Sequence, residues 1–517
     1  MFSLSGVNTI LVNFLIFAAN KKKVMKKIIL SIAILTLGLT SYSQTQIGDD
    51  IDGENMEDFS GHTVATSANG NIIAIGAIEN DDGGNRSGHV RVYENVGGTW
   101  TKIGEDIAGE APDDRSGWSL ALSADGSIVA IGSDLNNSWK GQVEIYENLG
   151  GTWTQIGEDI EGENFGDISA TSISLSNDGN IVAIGAPRND GTAENSGHVR
   201  VFENVNGAWI QIGQDIDGEH EQGKLGNSVA LNGEGNIVAI GASQNDENGT
   251  NTGEVKIYKN LGGTWTQLGG DINGVSAFED AGFRVELSEV GNIVAISSAG
   301  SNANGANSGH VRVFENIGGV WTQIGEDING EATDDYSGWS IALSASGNII
   351  AIGAVWNDGN GFNSGNVRIF QNLGGVWTQM GEDINGEAEY DESGYSVDIS
   401  ADGSIVAIGG KSNDGNGDFS GHVRVFDLST VLSIPTIDLE PTISLYPNPS
   451  NDFINISSNK GQLLKIELYS MTGSLIFKTD LNSDIYSLNI ANYQSGIYLL
   501  RVFGQNNDTI NTKIVKK

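Results

Sequence analysis

Short runs of apolar residues recur along the chain at a fixed interval. The segment Val-Ala-Ile-Gly and its variants end at seven positions 56 residues apart, with one interval of 53: Gly76, Gly132, Gly185, Gly241, Ser297, Gly353 and Gly409. A tryptophan that follows a glycine turn keeps this spacing at Trp100, Trp153, Trp209, Trp265, Trp321 and Trp377. Self-similarity at such a period is typical of repeat architectures. The pattern therefore predicts seven copies of one unit between about residues 44 and 427.

Each copy reads as four short strands separated by turn residues. In the sixth copy, Trp339–Ser344 alternates between apolar and polar residues, and the nearly continuous apolar run 348–353 indicates a strand buried on both faces. A loop rich in Asn, Asp and Gly leads to a third strand over 366–370, and a tight turn leads to a fourth over 377–384. No segment of the repeats has a useful length of helical periodicity.

The two ends of the array indicate that it closes into a ring. Residues 45–51 match the fourth strand of a copy, whereas residues 423–426 at the other end match the third strand. The first segment can therefore complete the last copy and leave no open sheet edge, which an open solenoid would not need. The predicted fold class is all-β, with a seven-bladed β-propeller over residues 44–430 that we expect to be monomeric.

Composition and charge exclude several classes of function. The chain has 72 Gly, 6 Pro and no Cys, so thiol catalysis, thiolate metal sites and disulfides are absent. With 27 Lys and Arg against 66 Asp and Glu, the formal net charge is 27 − 66 = −39. This charge repels phosphate backbones and anionic lipids, so we expect neither nucleic acid nor a membrane surface as a partner.

The N-terminus has the pattern of an export signal. Lys26 and Lys27 precede the apolar run 28–39, and the small residues Ser41 and Ser43 precede a cleavage point before Gln44. We interpret residues 1–43 as a signal peptide whose true start is Met25, so the mature protein should have no membrane span. The alternative is a two-part membrane anchor over residues 9–39.

The repeat resembles a known family. The order Ser-Gly-x-Ser-x-Ala-Leu-Ser, Val-Ala-Ile-Gly-Ala, Gly-His-Val-Arg-Val-Phe and Trp-Thr-Gln-Ile-Gly resembles the FG-GAP repeats of integrin-like propellers over about three quarters of the chain. Calcium-binding blades of that family carry an Asp-rich loop between strands one and two. Here that connection is a short turn such as 124–126, so the family's calcium site is not carried over.

The period stops after Leu428, and residues 431–442 read as a linker before a less acidic β-rich segment over 443–517. Its alternating pattern predicts a small Ig-like β-sandwich of about seven short strands. The Tyr-Pro-Asn-Pro opening, the Met-Thr-Gly turn, the Ser-Gly-Ile-Tyr-Leu-Leu strand and the basic end resemble the type A sorting domain of the type IX secretion system of Bacteroidetes. This resemblance implies passage through the outer membrane by that machinery and an extracellular or cell-surface location. The alternative is an ordinary binding sandwich.

One face of the predicted propeller carries long acidic loops. Antiparallel order places the connections between strands two and three on the same face as those between blades, and ligand sites favour such loops. Carboxylate and amide oxygens are calcium ligands. The candidate calcium ligands are Asp327, Asn329, Glu331, Asp383, Asn385, Glu387, Asp414, Asn416 and Asp418. No stretch has the full spacing of a calcium loop, and plain turn chemistry is the alternative. No other cofactor is expected.

The sequence contains no recognisable catalytic motif. It lacks the zinc-protease His-Glu pair, the nucleophile elbow, the phosphate loop and the dinucleotide fingerprint. The blades look nearly identical, and blade five, which departs most through Ser297, Ser298 and the segment 275–280, supplies no evident nucleophile and base. Four histidines occupy one slot at the start of strand three, where neighbouring copies cannot converge on a single ion: His89, His198, His310 and His422.

These observations predict a non-enzymatic surface binding or adhesion protein that engages a protein or glycan ligand through the acidic loop face. Two alternatives remain open at this point. One is a propeller enzyme such as a polysaccharide lyase or glycosidase, and the other is a passive structural protein of the cell surface.

Overall fold

The computed structural model describes residues 44–432, 443–458, 462–470, 474–504 and 509–517. The signal peptide predicted over residues 1–43 and most of the predicted linker lie outside these ranges. The chain divides into two compact units, one ending at Leu432 and the other beginning at Ser433.

The first unit consists of seven antiparallel sheets, which we call blades one to seven in chain order. The innermost strands of neighbouring blades contact each other all the way around, the seventh with the first included. They are Ser60–Thr66, Ser119–Leu122, Ser172–Leu175, Ser228–Leu231, Val285–Leu287, Ser337–Leu343 and Ser393–Ile399. The prediction of an all-β propeller fold is confirmed.

The remaining strands repeat from blade to blade. The second strands are Ile72–Ala77, Ile128–Ser133, Ile181–Ala186, Ile237–Ala242, Ile293–Ser298, Ile349–Ala354 and Ile405–Gly410. The third strands are His89–Asn95, Gln142–Asn148, His198–Val205, Glu254–Asn260, His310–Ile317, Asn366–Asn372 and His422–Asp427. The fourth strands of blades one to six are Trp100–Lys102, Trp153–Gln155, Ala208–Gln211, Trp265–Gln267, Val320–Gln323 and Trp377–Gln379.

Each third strand also pairs with a two-residue strand that follows the fourth. In blades one to six these strands are Ile107–Ala108, Ile160–Glu161, Ile216–Asp217, Ile272–Asn273, Ile328–Asn329 and Ile384–Asn385. The described part of this unit also contains two helical turns, Asn136–Trp139 and Ser429–Leu432.

The beginning of the described chain completes blade seven. Thr45–Gln46 and Ile51–Asp52 lie antiparallel to the third strand of that blade, with Gln46 opposite Phe426 and Ile51 opposite Val423. This pairing supplies the outer strand that the last repeat lacks, so the ring has no unpaired edge at its seam.

The core consists of apolar layers between neighbouring blades. The second strand of blade six, Ile349–Ala354, is buried at every position, as its continuous apolar run predicts. A typical layer joins Val255 and Ile257 of blade four to Val294 and Ile296 of blade five. Each blade therefore covers the apolar face of the next.

The predicted fourth strand over 377–384 is interrupted. Trp377–Gln379 and Ile384–Asn385 are separate strands, and Gly381 between them has a left-handed backbone with φ of 73°. At the equivalent Gly325, a Cβ would lie 2.7 Å from the carbonyl oxygen of Gly375 and 3.1 Å from Cδ1 of Trp377. The chain bends here because the next blade's tryptophan seats against the glycine. Trp377 Nε1 donates to the carbonyl oxygen of Ile324 at 2.9 Å, which makes the tryptophan a packing anchor.

The second unit is a sandwich of two sheets that share one apolar core. Strands Ile443–Tyr446, Phe453–Ser458 and Ile485–Asn489 form one sheet. The other consists of Leu475–Ser483, Leu463–Ser470, Gly496–Gly504 and Thr509–Lys516 in that spatial order. Alternate residues of both sheets fill the core, among them Ile454, Ile466 and Leu500. The seven strands agree with the predicted small β-sandwich.

Candidate functional site

A cavity of about 460 Å³ lies where the innermost strands of all seven blades meet. Three consecutive residues of each blade line it, with a fourth, Glu286, in blade five. The first of the three differs in nearly every blade, and these residues are His62, Trp118, Thr171, Asn227, Phe283, Trp339 and Tyr395. We call this set the axial ring.

The local sequence explains why these side chains reach the axis. In blade seven, Gly394 precedes Tyr395 with φ of 83°, and a Cβ there would lie 2.6 Å from the carbonyl oxygen of Asn366. Ser396, which follows, donates its hydroxyl to the carbonyl oxygen of Gly61 in blade one at 2.8 Å. Glycine and serine thus make the contacts between blades, and the residue between them is left to face the cavity.

His62 and Tyr395 are neighbours in the cavity although 333 residues separate them in sequence. The tyrosine Oη lies 3.5 Å from His62 Nε2. His62 Nδ1 is buried and has no hydrogen-bond partner among the described residues. The pair therefore places a phenol and an imidazole with one buried, unpartnered nitrogen in the cavity wall.

Three cations surround His62. Burial lowers the pKa of His62 well below its ordinary value, and the charges of Lys411, Arg115 and Arg284 lower that pKa further. The imidazole is therefore neutral at pH 7, and one of its ring nitrogens carries an unprotonated lone pair. Lys411 Nζ lies 4.4 Å from the ring centre of Tyr395, and the Arg115 guanidinium lies 3.9 Å from that of Trp118.

The three cations differ in how they are paired. Arg115 lies 2.6 Å from Asp134, and Lys411 lies 2.8 Å from Glu392. Arg284 donates to the carbonyl oxygen of Phe283 at 3.0 Å and forms no ion pair with any carboxylate of the described chain. Arg284 is therefore the cation best placed to receive an anionic group of a ligand.

Two carboxyl groups of the innermost strands have raised pKa values. Burial raises the pKa of Glu286, which lines the cavity, to about 8, with a further rise from Asp398 and an opposing effect of Arg284. Burial raises the pKa of Asp398 to about 6, although Thr66 donates its backbone N–H to Asp398 at 2.6 Å. At pH 7 Glu286 therefore carries a proton that it can donate.

Aromatic rings cover much of the remaining cavity wall. The Trp339 ring lies 5.2 Å from Phe283 and 5.6 Å from Tyr395, between centroids. Its Nε1 is buried without a partner among the described residues. Apolar walls with a few converging polar groups are typical of small-molecule sites.

Blade five contributes two residues that the sequence interpretation missed. Arg284 occupies a position at which the other blades have Ser or Thr, and Glu286 occupies one at which blades one, two, four and six have Ala. The sequence interpretation considered blade five only at Ser297, Ser298 and residues 275–280, and it did not consider these two axial positions. The signal was available, because aligning the seven copies position by position shows a cation at the position of Arg284 in blade five alone.

Most of the nine candidate calcium ligands contact other residues of the chain, although the buried Oδ1 atoms of Asn329 and Asn385 have no hydrogen-bond partner among the described residues. Asp327 and Asp383 accept hydrogen bonds from Gln323 and Gln379, both at 2.7 Å. The carbonyl oxygens of Asn329 and Asn385 accept from Arg368 and Arg424, whose guanidinium groups also lie 3.8 and 3.7 Å from Glu331 and Glu387. Asn329, Glu331, Asn385 and Glu387 therefore contact the next blade, whereas Asp327 and Asp383 are held within their own blade.

The other three candidates stabilise loop structure. Asp414 accepts from the backbone of Phe419 at 2.8 Å, and Asn416 donates to the carbonyl oxygen of Glu54 at 3.0 Å. The carbonyl oxygen of Asp418 accepts from the backbone of Glu57 at 2.9 Å. Within the described ranges, no group of three or more His, Asp and Glu ligands includes any of the nine. Calcium binding by them stays a prediction.

Two family models match the chain. Residues 444–517 match the secretion system C-terminal sorting domain, and residues 329–370 match the FG-GAP repeat. Both resemblances seen in the sequence are confirmed. The sorting domain indicates export to the cell surface or the surroundings and interaction with the type IX secretion machinery. None of the helices in the described ranges has the length and apolar character needed to cross a bilayer.

Two curated relatives are lyases. The chain is 24% identical to an endo-acting ulvan lyase of Formosa agariphila over 201 residues, which are 39% of this chain and 31% of the relative. It is 30% identical to ulvan lyase NLR42 of Nonlabens ulvanivorans over 88 residues, 17% of this chain and 16% of the relative. The chain thus covers less than a third of either relative. These similarities contradict the interpretation as a non-enzymatic protein, which is corrected here.

Two solved structures resemble the chain at low similarity. One is a putative 6-phosphogluconolactonase from Bacteroides uniformis, with a TM-score of 0.47, 11% identity, and coverage of 81% of this chain and 100% of that one. The other is the periplasmic gluconolactonase of Pseudomonas aeruginosa, with a TM-score of 0.41, 14% identity, and coverage of 63% and 85%. We draw no conclusion from likeness at this level.

Proposed function

We propose that the chain is an exported carbohydrate-active enzyme that cleaves an acidic polysaccharide by elimination in the axial cavity. The observation that carries this proposal is the neutral His62 beside Tyr395, with the unpaired Arg284 on the same cavity wall. The names of the two lyases support the reaction type.

The reaction needs three groups, and the cavity holds a candidate for each. Arg284 binds the carboxylate of a uronic acid and stabilises the negative charge that develops when the neighbouring C5 proton leaves. His62 accepts that proton. The C5–H electrons form a C4–C5 double bond, the C4–O bond breaks, and the leaving oxygen takes a proton from Tyr395.

The charge distribution supports an acidic substrate. The whole chain carries a formal charge of −39, yet Arg115, Arg284 and Lys411 gather around the cavity. A local positive field at a cavity mouth concentrates an anionic ligand there even when the remaining surface repels it. Trp339 and Phe283 offer flat apolar surfaces for the sugar rings.

The test is an assay of the purified full chain on acidic and neutral polysaccharides, which follows both new reducing ends and the ultraviolet absorbance of the new double bond. We expect both signals on an acidic polymer only. Tyr395→Phe should lower kcat by about 10²- to 10⁴-fold, the range for loss of a general acid or base. Tyr390→Phe is the matched control, because Tyr390 is 55% exposed and does not line the cavity.

Three outcomes would contradict the proposal. New reducing ends without the ultraviolet absorbance would show that the chain cleaves the polymer by hydrolysis and not by elimination. Equal activity of the Tyr395 and Tyr390 variants would place the reaction outside the axial cavity. No product from any acidic polymer would remove the proposed activity.

A further inference from the structure

Four potential metal ligands meet in the outer part of blade one, on strands other than the innermost one that lines the axial cavity. Glu54 lies on the segment that enters the blade, Asp82 on the loop after the second strand, His89 at the start of the third strand and Asp106 after the fourth. One ligand atom from each lies within 4.8 Å of the ligand atoms of the other three. We call these four residues the blade-one cluster.

The state of His89 separates this cluster from an ordinary acidic patch. The residue is 0% exposed, and neither ring nitrogen has a hydrogen-bond partner among the described residues. Nδ1 lies 3.6 Å from Asp82 Oδ2, which is too far for a hydrogen bond. A separation of about 3.4 Å is expected for two ligands of one tetrahedral ion with bonds of about 2.0–2.1 Å. A buried imidazole without a partner is costly, and a bound cation removes that cost.

In blade five, two of the three carboxylates that surround this histidine position are replaced. Val275 and Ala303 occupy the positions of Glu54 and Asp82. His310, the equivalent of His89, then has Glu279 at 3.2 Å from its Nε2. His310 thus lies closer to a carboxylate than His89 does, whose Nδ1 is 3.6 Å from Asp82.

The surrounding structure holds the ligands in place. His89 pairs in register with Ala77 on one side and Ala108 on the other. Asn416 donates to the carbonyl oxygen of Glu54 at 3.0 Å, so the segment that carries this ligand is tied to blade seven. The cluster therefore needs little rearrangement to close on an ion.

Two cations leave one net negative charge in the cluster. Arg91 lies 3.5 Å from Glu54, and Lys102 lies 2.8 Å from Oδ1 of Asp106. They offset two of the three carboxylate charges. One imidazole nitrogen together with carboxylate oxygens suits zinc and similar divalent transition metals, whereas calcium takes oxygen ligands.

We infer that the blade-one cluster binds one divalent transition-metal cation of the zinc class, independently of the proposed enzymatic function. The sequence interpretation instead expected no metal at the histidine slot. That expectation considered only convergence of histidines from neighbouring copies, whereas His89 converges with carboxylates around its own blade.

The test is a crystal of the metal-free full chain soaked in ZnCl₂, with anomalous differences at the zinc edge, and calorimetric titration with ZnCl₂ in solution. We expect an anomalous peak at bonding distance from a His89 nitrogen. His89→Gln copies Gln142 of blade two and Asp82→Ala copies Ala303 of blade five, so both side chains already occur at these positions of the fold.

We expect His89→Gln to abolish that peak and to lower zinc affinity by about 100-fold, and Asp82→Ala to lower it by about 10-fold or more. His310→Gln is the matched control and should leave the peak unchanged, because Val275 and Ala303 replace two of the other ligands in its blade. Absence of a peak at His89 in the wild type would overturn the inference, and so would equal zinc binding by the His89 and His310 variants. A site that takes CaCl₂ and rejects ZnCl₂ would also overturn it.

Discussion

The residues at the outer edge of the seven blades are nearly uniform, whereas the residues at the axis differ from blade to blade. At the outer edge, six tryptophans make one and the same contact, in which Nε1 donates to a backbone carbonyl of the preceding blade at 2.8 to 2.9 Å. At the axis, the seven positions of the axial ring carry six different residue types. The outer positions are uniform because each blade must fit its neighbour in the same way. The axial side chains are free of that requirement and can differ for a ligand.

The largest expected effect is a loss of stability when one of the outer tryptophans is removed. Trp265 is 3% exposed and donates to the carbonyl oxygen of Ile212 at 2.8 Å. Trp265→Ala should lower the free energy of unfolding by about 3–5 kcal/mol, because it leaves a cavity between two blades. Denaturant unfolding of the full chain measures this loss.

The matched axial variant is Trp339→Asn, which copies Asn227 of blade four. It removes ring contacts in the cavity and should cost only about 1 kcal/mol. If the two substitutions lower the free energy of unfolding equally, the axial ring contributes as much to packing as the outer tryptophans do. The contrast between the outer edge and the axis would then be wrong.

The next effect is on activity. Arg284→Ser gives blade five the residue that most other blades have, so the fold should be retained. If Arg284 holds the substrate carboxylate, kcat/KM on the acidic polymer should fall by about 10²- to 10³-fold, the usual loss for one charge-stabilising group. Steady-state kinetics measure this fall, and Arg188→Ser is the control, since Arg188 is exposed and does not line the cavity. Unchanged kinetics in the Arg284 variant would show that the axial differences are not used in catalysis.

Much of the fold could be predicted because the information is local. Alternation of apolar residues, the glycine turns and the spacing of Val-Ala-Ile-Gly are readable within single copies, and the sorting domain carries several motifs in order. The interruption of the fourth strand was missed because it depends on contact with another blade. Gly325 bends the chain only because Trp377 of the next blade lies against it.

The candidate site was missed for a related reason. His62 and Tyr395 meet only because the ring closes, and Arg284 reaches them from a third blade. Interpretation of the acidic loops instead favoured residues such as Asp327, which is bound to Gln323 of its own blade, and Glu331, which lies near Arg368 of the next blade. The residues that are the same in every copy identified the repeat architecture. The positions at which one copy differs from the others would have identified the candidate site.

A smaller effect concerns pH. The folded pKa of Glu286 is raised to about 8 by burial, so between its unfolded pKa and pH 8 the native state binds more protons than the unfolded state. Stability should therefore fall as pH rises through this window. Glu286→Ala, which copies the residue of four other blades, should remove part of this dependence and be more stable than the wild type at pH 9, on the order of 1 kcal/mol after allowance for partial exposure. Thermal unfolding at pH 5, 7 and 9 tests the sign, and parallel curves for both proteins would contradict it.

The smallest effect concerns the one exception at the outer edge. In blade seven the tryptophan position is Gln44, whose Nε2 lies 3.5 Å from the carbonyl oxygen of Met380, the equivalent of the tryptophan acceptor. Gly381 already has the left-handed backbone that seats a tryptophan in the other blades. Gln44→Trp should therefore stabilise the closed ring by about 0.5–1 kcal/mol, as substitutions toward a consensus residue often do. Thr45→Trp is the matched control, because the next residue of a strand faces the other way and should gain nothing. A raised unfolding midpoint for the first variant alone would show that the uniform outer contact stabilises the seam itself, whereas equal midpoints would show that the closing strand is held by its backbone pairing with the third strand of blade seven.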